Sequence, residues 1–335
     1  MNKHEKEASE KVMQLLTATW INQSLYVVTK LGIPDILSEE PKTVENLSEI
    51  TKSYAPFLYR IMRALASIGF FYENENRVFS ITPMGEMLQK NKMQAIVLMF
   101  LSEWHNHAWE KLFHSVQTGN VAFDTAFGKP CFEWFKENPE EADVFNKANQ
   151  IKAVASHTMI TNFYDFSHLN SIVDIGGGYG GLLYNILNAF PHIKGIVADL
   201  PYMKEKVEKQ ITDNNLRGRC DFRECNFFEK FPDGYDCYIL SNILHDWDDD
   251  KCEKILKNCY NVMHPNGILI VIESIIPDRN VFSIAKLLDI EVLVMGGGKE
   301  RTEIEYRELL NKSGFNLSKI IDTKESVSIL ECVKQ

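Results

Sequence analysis

The sequence lacks the features that would place the chain in a membrane or on a nucleic acid. Its 335 residues contain no run of about 18 apolar residues, so no transmembrane helix is expected. The charged N-terminus, MNKHEKEASEK, is not followed by the apolar core of a signal peptide. Positive charge is scarce, because 36 Lys and Arg residues stand against 46 Asp and Glu residues and leave a net charge of −10. Neither nucleic-acid backbones nor anionic membranes are therefore expected as partners.

Cysteine pairs at metal-binding or redox spacing are missing as well. The seven cysteines are scattered along the chain, and no two of them form a CxxC pair. An odd, scattered set fits a reducing cytoplasm better than a disulfide framework or a zinc site. We therefore predict a cytoplasmic protein without a metal, and its 45% hydrophobic residues supply ample material for a core.

The first third of the chain has the spacing of helices followed by a hairpin. The stretch KVMQLLTATWINQSLYVVTKLGI is apolar at near-helical spacing, and Gly32 and Pro34 are predicted to end it. Thr43 is a predicted helix N-cap, and the polar ENEN separates two aromatic-rich runs as a hairpin turn would. This order is typical of a winged-helix domain. Residues 1–90 carry ten basic and eleven acidic residues, however, which disfavours DNA binding and favours a partner surface.

Residues 91–165 have a helical pattern and are rich in aromatic residues. Such a segment can form the core between two domains, or it can form a wall of a cavity that binds an aromatic ligand, since ligand sites favour domain interfaces. Both interpretations stay open. The predicted pocket residues are Trp104, Trp109, Phe145, Asn149 and Met295.

From about Ser171 the pattern changes to strands that alternate with helices. This alternation predicts βαβ units, and hence a parallel sheet with helices on both faces. The C-terminal stretch SKIIDTKESVSILECVK predicts two strands with a turn near Lys324. That hairpin would put one antiparallel strand at the end of the sheet.

A glycine-rich turn follows the first of these strands. In VDIGGGYGG, the residues Gly176, Gly178 and Gly181 have G-x-G-x-x-G spacing between a strand and a helix, which lets backbone approach a nucleotide-like ligand. Asp199 ends the next strand, and its carboxylate suits the two hydroxyl donors of a ribose. Asp174, just before the glycines, would repel a pyrophosphate but suits the ammonium group of S-adenosylmethionine (SAM). The alternative for Asp174 is a capping or turn residue.

These motifs, with others in the same order, resemble the SAM-dependent small-molecule O-methyltransferases of plants and bacteria. The resemblance covers nearly the whole chain and rests on VDIGGGYGG, ADLP, FFEKFP, ILHDWDDDKCEKILKNCY, GILIVIESIIPD and GGKERTEIEYRELL. Its bacterial members include phenazine and polyketide tailoring enzymes. It implies SAM as the cofactor, S-adenosyl-L-homocysteine as its product, no metal, a small hydroxylated aromatic substrate and a homodimer formed by the N-terminal domain.

The resemblance also implies the fold. We expect an α/β protein whose Rossmann-like class I methyltransferase domain has a mostly parallel seven-stranded sheet, together with an all-helical winged-helix-like N-terminal domain. The expected domains are a dimerisation domain over residues 1–95, a helical linker and pocket region over 96–165, and a SAM-binding domain over 166–335.

In this family the histidine of the HDW motif, here His245, is the general base that takes the proton of the substrate hydroxyl. An imidazole with a pKa of about 6.5 can take the proton of a phenol, whose pKa is about 10, as the charge on the oxygen is consumed. The family orients this base with two glutamates, which match Glu273 and Glu300 by motif. A carboxylate on one ring nitrogen fixes the tautomer that presents the other.

The acids after His245 have a simpler interpretation. Asp246 and residues 248–250 are expected at the start of the next helix, where negative charge meets the positive helix end. A metal site at HDWDDD is disfavoured, because acids at successive helix positions point in different directions.

The cofactor site is predicted from the same motifs, with two departures from the family. Asn226 stands where relatives often have Asp, but its amide still offers an acceptor oxygen. Ser241 stands where plant members often have Lys. The predicted cofactor-binding residues are Asp174, Gly176, Gly178, Asp199, Leu200, Asn226, Phe227 and Ser241.

Three other functions stay open. A few proteins of this fold bind SAM but act as decarboxylases, hydroxylases or pericyclases, and N-methylation is a further enzymatic alternative. A protein of another class would be a winged-helix regulator that senses a nucleotide. The charge balance of residues 1–90 and the presence of His245, Glu273 and Glu300 favour O-methylation.

Overall fold

The computed structural model describes residues 2–324 and 326–335, apart from the side chains of 152–159, and the chain divides into two compact units. We call residues 1–106 with 138–151 the N-terminal unit, and residues 107–137 with 152–335 the C-terminal unit. The three domains expected from the sequence, with boundaries near residues 95 and 165, stay a prediction. Among the described residues, none of the helices combines the length and apolar character needed to cross a bilayer.

The N-terminal unit is mostly helical, and a small antiparallel sheet with the order β1-β3-β2 completes it. The predicted hairpin is present, because β2 and β3 pair on either side of the ENEN turn. The first part of the chain forms α1 (Lys3–Lys30), α2 (Ile33–Glu39), β1 (Lys42–Thr43), α3 (Val44–Thr51), α4 (Ala55–Ser67), β2 (Phe71–Glu73), β3 (Val78–Ile81), α5 (Pro83–Glu86) and α6 (Gln94–Phe100). The third strand, β1, has only two residues and no signal in the sequence.

Two local predictions in this unit have different outcomes. Thr43 is the N-cap of α3, and its side chain accepts a hydrogen bond from the Asn46 backbone as predicted. Pro34 does not simply end α1, because it lies in the first turn of α2, where its missing N–H leaves no bond unmade. The hydrophobic core of the unit is fully buried around residues such as Val28, Leu47 and Phe79.

The middle of the chain is a series of helices, as its pattern indicates. These are α7 (Glu103–Trp109), α8 (Leu112–Thr118), α9 (Ala122–Phe127), α10 (Cys131–Glu137) and α11 (Pro139–Phe163).

The rest of the C-terminal unit alternates strands and helices as predicted. Its elements are β4 (Ser171–Ile175), α12 (Gly181–Ala189), β5 (Lys194–Asp199), α13 (Lys204–Asp213), β6 (Cys220–Glu224), β7 (Cys237–Ser241), α14 (Asp249–Val262), β8 (Ile268–Glu273), α15 (Ile284–Met295), α16 (Glu303–Lys312), β9 (Phe315–Asp322) and β10 (Ser328–Lys334). The strands form one seven-stranded sheet with the order β6-β5-β4-β7-β8-β10-β9. Strands β4 to β8 pair in parallel, and apolar layers bury both faces of the sheet.

The antiparallel strand is not at the end of the sheet, which corrects the sequence-based prediction. Strand β10 lies between β8 and β9 and is antiparallel to both. Its Ile329, Leu330 and Cys332 are fully buried, as an interior strand requires. Strand β9 exposes Asn316 and Lys319, and such a polar strand suits a sheet edge because it discourages pairing with other chains.

Candidate active site

Most of the predicted site residues of the C-terminal unit lie at or just after the carboxyl ends of the parallel strands. Ile175 at the end of β4 is in register with residues near the ends of β5 and β7. Asp199, the last residue of β5, pairs with Glu224, the last of β6. Ser241 and Glu273 end β7 and β8. Ligands of open parallel sheets bind at this edge.

The glycine turn after β4 is held against the neighbouring strand. The N–H of Gly176 donates to the carbonyl of Ala198 at 2.7 Å. Gly176 has a φ of 65°, and a Cβ atom there would lie 2.5 Å from Cδ1 of Ile243 and 3.7 Å from the Phe227 ring. Only glycine therefore fits this position without displacing a neighbour.

Asp199 organises the same turn. One of its carboxylate oxygens accepts the N–H of Gly178 at 2.8 Å, and the other accepts the N–H of Leu200 at 2.6 Å. Burial raises the pKa of Asp199 above its usual value, and these two backbone hydrogen bonds oppose that rise. Each oxygen keeps a second lone pair, which can accept a hydroxyl donor.

Asp174 is buried at the base of the glycine turn and lacks a full set of partners. Its side chain is 1% exposed, and its Oδ2 has no hydrogen-bond partner among the described residues. Burial, and next the charge of Asp199, raise the pKa of Asp174 to about 7. A buried carboxylate with an unused oxygen is costly unless a donor or cation completes it.

Asn226 follows β6 and caps a turn with its side chain. Its Oδ1 accepts the N–H of Phe228 at 3.1 Å, and its amide donates to Glu229 at 2.9 Å. The position lies beside Asp199, because the N–H of Cys225 donates to the Asp199 carbonyl at 2.9 Å. The structure therefore brings most of the predicted cofactor residues to one stretch of the sheet edge.

His245 lies in a short 3-10 turn, Leu244–Asp246, between β7 and α14. Its Nδ1 is 2.9 Å from Oε1 of Glu300 and 3.7 Å from Oε2 of Glu273. The first contact is a hydrogen bond, and the second is an electrostatic contact only. Glu300 is thus the direct partner of the imidazole, as one of the two predicted glutamates should be.

Glu273 acts on the backbone that carries the histidine. Its Oε1 accepts the N–H groups of Ile243 at 3.0 Å and Leu244 at 2.8 Å. The side chain is fully buried, so these bonds are formed away from water and fix the entry to the turn. Glu273 was predicted from the sequence as a site residue. That Glu273 binds the backbone while Glu300 binds the imidazole was not predicted.

Three carboxylates surround the imidazole. Burial opposes protonation of His245, but the charges of Glu273 and Asp246 and the hydrogen bond with Glu300 outweigh it and raise the pKa of His245 to about 10. Burial in turn raises the pKa of Glu273 above its usual range. The ordinary imidazole pKa of about 6.5 does not apply in this site.

Asp246 is not a helix-start residue, which corrects part of the prediction for the acidic run. It belongs to the 3-10 turn, and its Oδ1 is 3.5 Å from Nε2 of His245. Asp248 is the N-cap of α14 and accepts the N–H of Lys251, as expected. Asp249 lies in the first turn of α14 and also pairs with Arg301.

A metal ion could also use these ligand types. One ligand atom each from His245, Glu273 and Glu300 lie within 4.8 Å of one another. The hydrogen bond from His245 to Glu300 accounts for the closest of these contacts. The absence of a metal stays a prediction.

The five predicted pocket residues belong to two units. Trp104, Phe145 and Asn149 are in the N-terminal unit, and Trp109 and Met295 are in the C-terminal unit. The Trp109 indole donates to Glu291 of α15 at 2.9 Å, one helical turn before Met295. A common role of the five as a pocket stays a prediction.

Sequence reasoning missed one contact that shapes the site. A Cβ atom on Gly298 would lie 2.0 Å from the carbonyl oxygen of His245, so the 296–301 loop touches the histidine turn directly. The run of three glycines before Lys299 was the signal for this close approach.

Two family models match the chain. An O-methyltransferase domain matches residues 109–316, and an O-methyltransferase dimerisation domain matches residues 13–91. Among curated relatives, a phenazine O-methyltransferase of Lysobacter antibioticus is 37% identical over 326 residues, covering 96% of this chain and 95% of the relative. A mitomycin biosynthesis 6-O-methyltransferase of Streptomyces lavendulae is 34% identical over 316 residues, covering 93% and 90%.

Solved structures of O-methyltransferases are also similar to this chain. The crystal structure of LaPhzM has a TM-score of 0.94 at 36% identity, covering 98% of this chain and 99% of that one. The mitomycin 7-O-methyltransferase MmcR has a TM-score of 0.94 at 32% identity, covering 99% of both chains. The O-methyltransferase NcsB1 from neocarzinostatin biosynthesis, in complex with S-adenosyl-L-homocysteine and 1,4-dihydroxy-2-naphthoic acid, has a TM-score of 0.81 at 28% identity, covering 94% and 96%.

Proposed function

Because the chain belongs to the family of SAM-dependent O-methyltransferases, we propose that His245 is the general base that prepares a hydroxyl of a small aromatic natural product for methylation. The family confirms the prediction from the motifs and removes the nucleotide-sensing regulator as an alternative. The relatives whose names specify phenazine and mitomycin chemistry support an aromatic natural product as the acceptor.

The single observation that carries the proposal is the place of His245. The imidazole lies just after the carboxyl end of β7, with Nδ1 hydrogen-bonded to Glu300. The neighbouring strand β4 ends in the glycine turn, and Ile243 links the two by its contact at Gly176. A base and a cofactor-binding turn on adjacent strands can serve one reaction.

The residues at the glycine turn fit SAM. The unpaired oxygen of Asp174 suits the ammonium group, and the spare lone pairs of Asp199 suit the ribose hydroxyls. Leu200, Asn226, Phe227 and Ser241 complete the proposed set at the ends of β5, β6 and β7. When bound, SAM supplies an electrophilic methyl group on a positively charged sulfur.

His245 governs the proton in this reaction. The substrate O–H would donate its proton to Nε2 of His245, and SAM, held by Asp174 and Asp199, would supply the methyl group that this oxygen takes up. Glu300 keeps the Nδ1–H in place, so Nε2 is the acceptor. A pKa of about 10 for His245 is close to that of a phenol, which makes the proton transfer nearly balanced.

A raised pKa also changes the state in which the site meets its substrate. At neutral pH the imidazole holds a proton, and an ionised phenolate would pair with it as an ion pair. That pair contains the same number of protons as a neutral imidazole with a phenol. Both routes therefore lead to one reactive complex with a single proton between His245 and the acceptor oxygen.

The test of the function is methyl transfer by the full-length protein. Calorimetry would first measure SAM binding, and a panel of hydroxylated phenazines, naphthoates and quinones would then be screened for release of S-adenosylhomocysteine with a methylated product. Matching anilines would reveal N-methylation. SAM binding with consumption of an aromatic acid but no methylated product would instead support a repurposed, non-methylating chemistry.

A further inference from the structure

We propose that Arg301 is a positioning residue that holds the catalytic base His245 against its partner Glu300. The inference rests on the proposed role of His245. Apart from its place after Glu300 in GGKERT, Arg301 has no functional signal in the sequence.

The Arg301 side chain donates hydrogen bonds to the backbone on both sides of His245. Its side chain is fully buried, although it carries a permanent positive charge. One guanidinium nitrogen, Nη1, donates to the carbonyl of Leu244 at 3.0 Å, and the other, Nη2, donates to the carbonyl of Trp247 at 3.0 Å. These two carbonyls stand on either side of His245 in the chain, so the guanidinium fixes the backbone that aims the imidazole.

The same side chain is anchored to the helix that follows. Nε and Nη2 of Arg301 both donate to Oδ1 of Asp249 in the first turn of α14, at 3.0 and 2.8 Å. This pair supplies the counter-charge that a buried guanidinium needs. The pair also gives Asp249 a role within the acidic run after His245. Burial acts to raise the pKa of Asp249, but its bonds with Arg301 and Lys299 outweigh burial and hold this pKa below its usual value.

The backbone of Arg301 joins the third part of the site. Its carbonyl accepts the N–H of Ile276 at 2.9 Å, three residues after Glu273 at the end of β8. The adjacent Glu300 N–H donates to Asp289 of α15 at 3.0 Å. Arg301 thus connects the segments that carry His245, Glu300 and Glu273.

A lysine could not replace these contacts. The planar guanidinium offers five N–H donors in a fixed fork, whereas an ammonium group offers three donors from one point. An ammonium at this position could not reach Leu244, Trp247 and Asp249 together. Replacement by Lys should therefore keep the charge but release the histidine turn.

The experiment compares Arg301→Lys with the wild-type protein and with Arg219→Lys. Arg219 also donates to two carbonyls, those of Leu187 and Pro191. It lies at the amino end of β6, however, whereas the candidate site lies at the carboxyl ends of the strands. Nitrogen NMR with ¹⁵N-histidine would follow the Nδ1–H signal of His245, identified by its loss in His245→Ala. Calorimetry would measure SAM affinity, and methyl transfer would be measured with the best acceptor of the screen.

The expected result is a separation of binding from positioning. In Arg301→Lys the Nδ1–H signal of His245 is lost or shifted, kcat falls about 10- to 100-fold, and the SAM dissociation constant and KM for SAM stay within about threefold. Arg219→Lys changes none of these. An Arg301→Lys protein with the wild-type His245 signal would overturn the proposal, whatever its stability.

Two further arms keep the outcomes distinct. If His245→Ala methylates at the wild-type rate, the assignment of His245 as the base fails. If His245→Ala loses its rate but Arg301→Lys keeps the wild-type rate, only the role of Arg301 is refuted. If Arg301→Lys does not fold, Asp249→Asn tests the same network, because it weakens the anchor and keeps the arginine. A smaller shift of the His245 signal is expected there, and an unchanged signal would overturn the proposal.

Discussion

At the scale of single residues, the pKa values of Asp174 and His245 are raised for different reasons. The pKa of Asp174 is raised mainly by burial, because its carboxylate lies under the glycine turn and its Oδ2 has no hydrogen-bond partner among the described residues. The pKa of His245 is raised in spite of burial, because Glu273, Asp246 and Glu300 surround its ring. The identity of these residues could be predicted from motifs. Their pKa values could not, because Glu300 is distant from His245 in sequence and 2.9 Å away in the fold.

Glu273→Gln should lower the pKa of His245. The substitution removes a negative charge 3.7 Å from Nδ1, which destabilises the protonated imidazole. The titration of the His245 ring, followed by ¹³C NMR, should move to lower pH, and the low-pH limb of kcat/KM should move with it. Glu303→Gln, which changes an exposed glutamate paired with Arg307, is the control. An unmoved titration of His245 would show that the charge of Glu273 does not reach the ring.

Asp174→Asn should stabilise the ligand-free protein at pH 8 and weaken SAM binding. A folded pKa raised above the ordinary value of 3.8 to about 7 means that folding disfavours the ionised form. This penalty is absent below pH 4 and complete above pH 7, so its removal should add about 1–3 kcal/mol at pH 8 and nothing near pH 4. Urea unfolding at the two pH values would measure it. An equal change at both pH values would assign the effect to packing.

At the scale of elements, the regular periodicity of the sequence made most strands of the sheet predictable. Features that depend on local geometry could not be predicted in this way. Strands β4 to β8 and helices α12 and α14 follow from alternation of apolar runs. The place of β10 inside the sheet, and the 3-10 turn around His245, depend on pairing and burial that no short window records. Helix α15 received no prediction, although Asp289 on it accepts the N–H of Glu300. The candidate site residues on irregular turns were predicted from motifs alone.

Gly176→Ala should damage the site beyond the strain of its backbone. Both Gly176 and Gly119 have positive φ values, of 65° and 76°, but only a Cβ at Gly176 meets a neighbour, Ile243 at 2.5 Å. Each alanine should cost about 1 kcal/mol of stability through φ. Gly176→Ala alone should weaken SAM binding, measured by calorimetry, because the turn must shift. Similar SAM affinities for the two variants would contradict the close approach.

At the scale of the whole molecule, the N-terminal unit exposes an apolar surface on α1. Helix α1 exposes large apolar side chains between residues 12 and 20, and the O-methyltransferase dimerisation model covers residues 13–91. The exposed side chains are those of Val12, Met13, Leu15, Leu16 and Trp20, each between 52% and 71% exposed. A stripe of this kind usually marks an interaction surface.

We propose that the protein is a homodimer formed through this unit. Light scattering at micromolar concentration should give twice the mass of the chain, and Leu16→Glu should shift it towards the monomer, because a charge would enter an apolar interface. Val116→Glu, which places the same charge at an exposed apolar position of α8, is the control. A monomeric wild-type protein would refute the dimer.

The measurement that tests the account most directly compares SAM binding with methyl transfer in His245→Ala. The residues proposed to bind SAM include those of the glycine turn and Asp199 of β5, whereas His245 is proposed to take the proton of the acceptor, so binding and chemistry should separate. The SAM dissociation constant should stay near the wild-type value, while single-turnover methyl transfer from labelled SAM to the best phenolic acceptor falls about 10²–10⁴-fold. Higher pH should recover part of the rate as the phenol ionises unaided. Methyl transfer at the wild-type rate in His245→Ala would contradict the account.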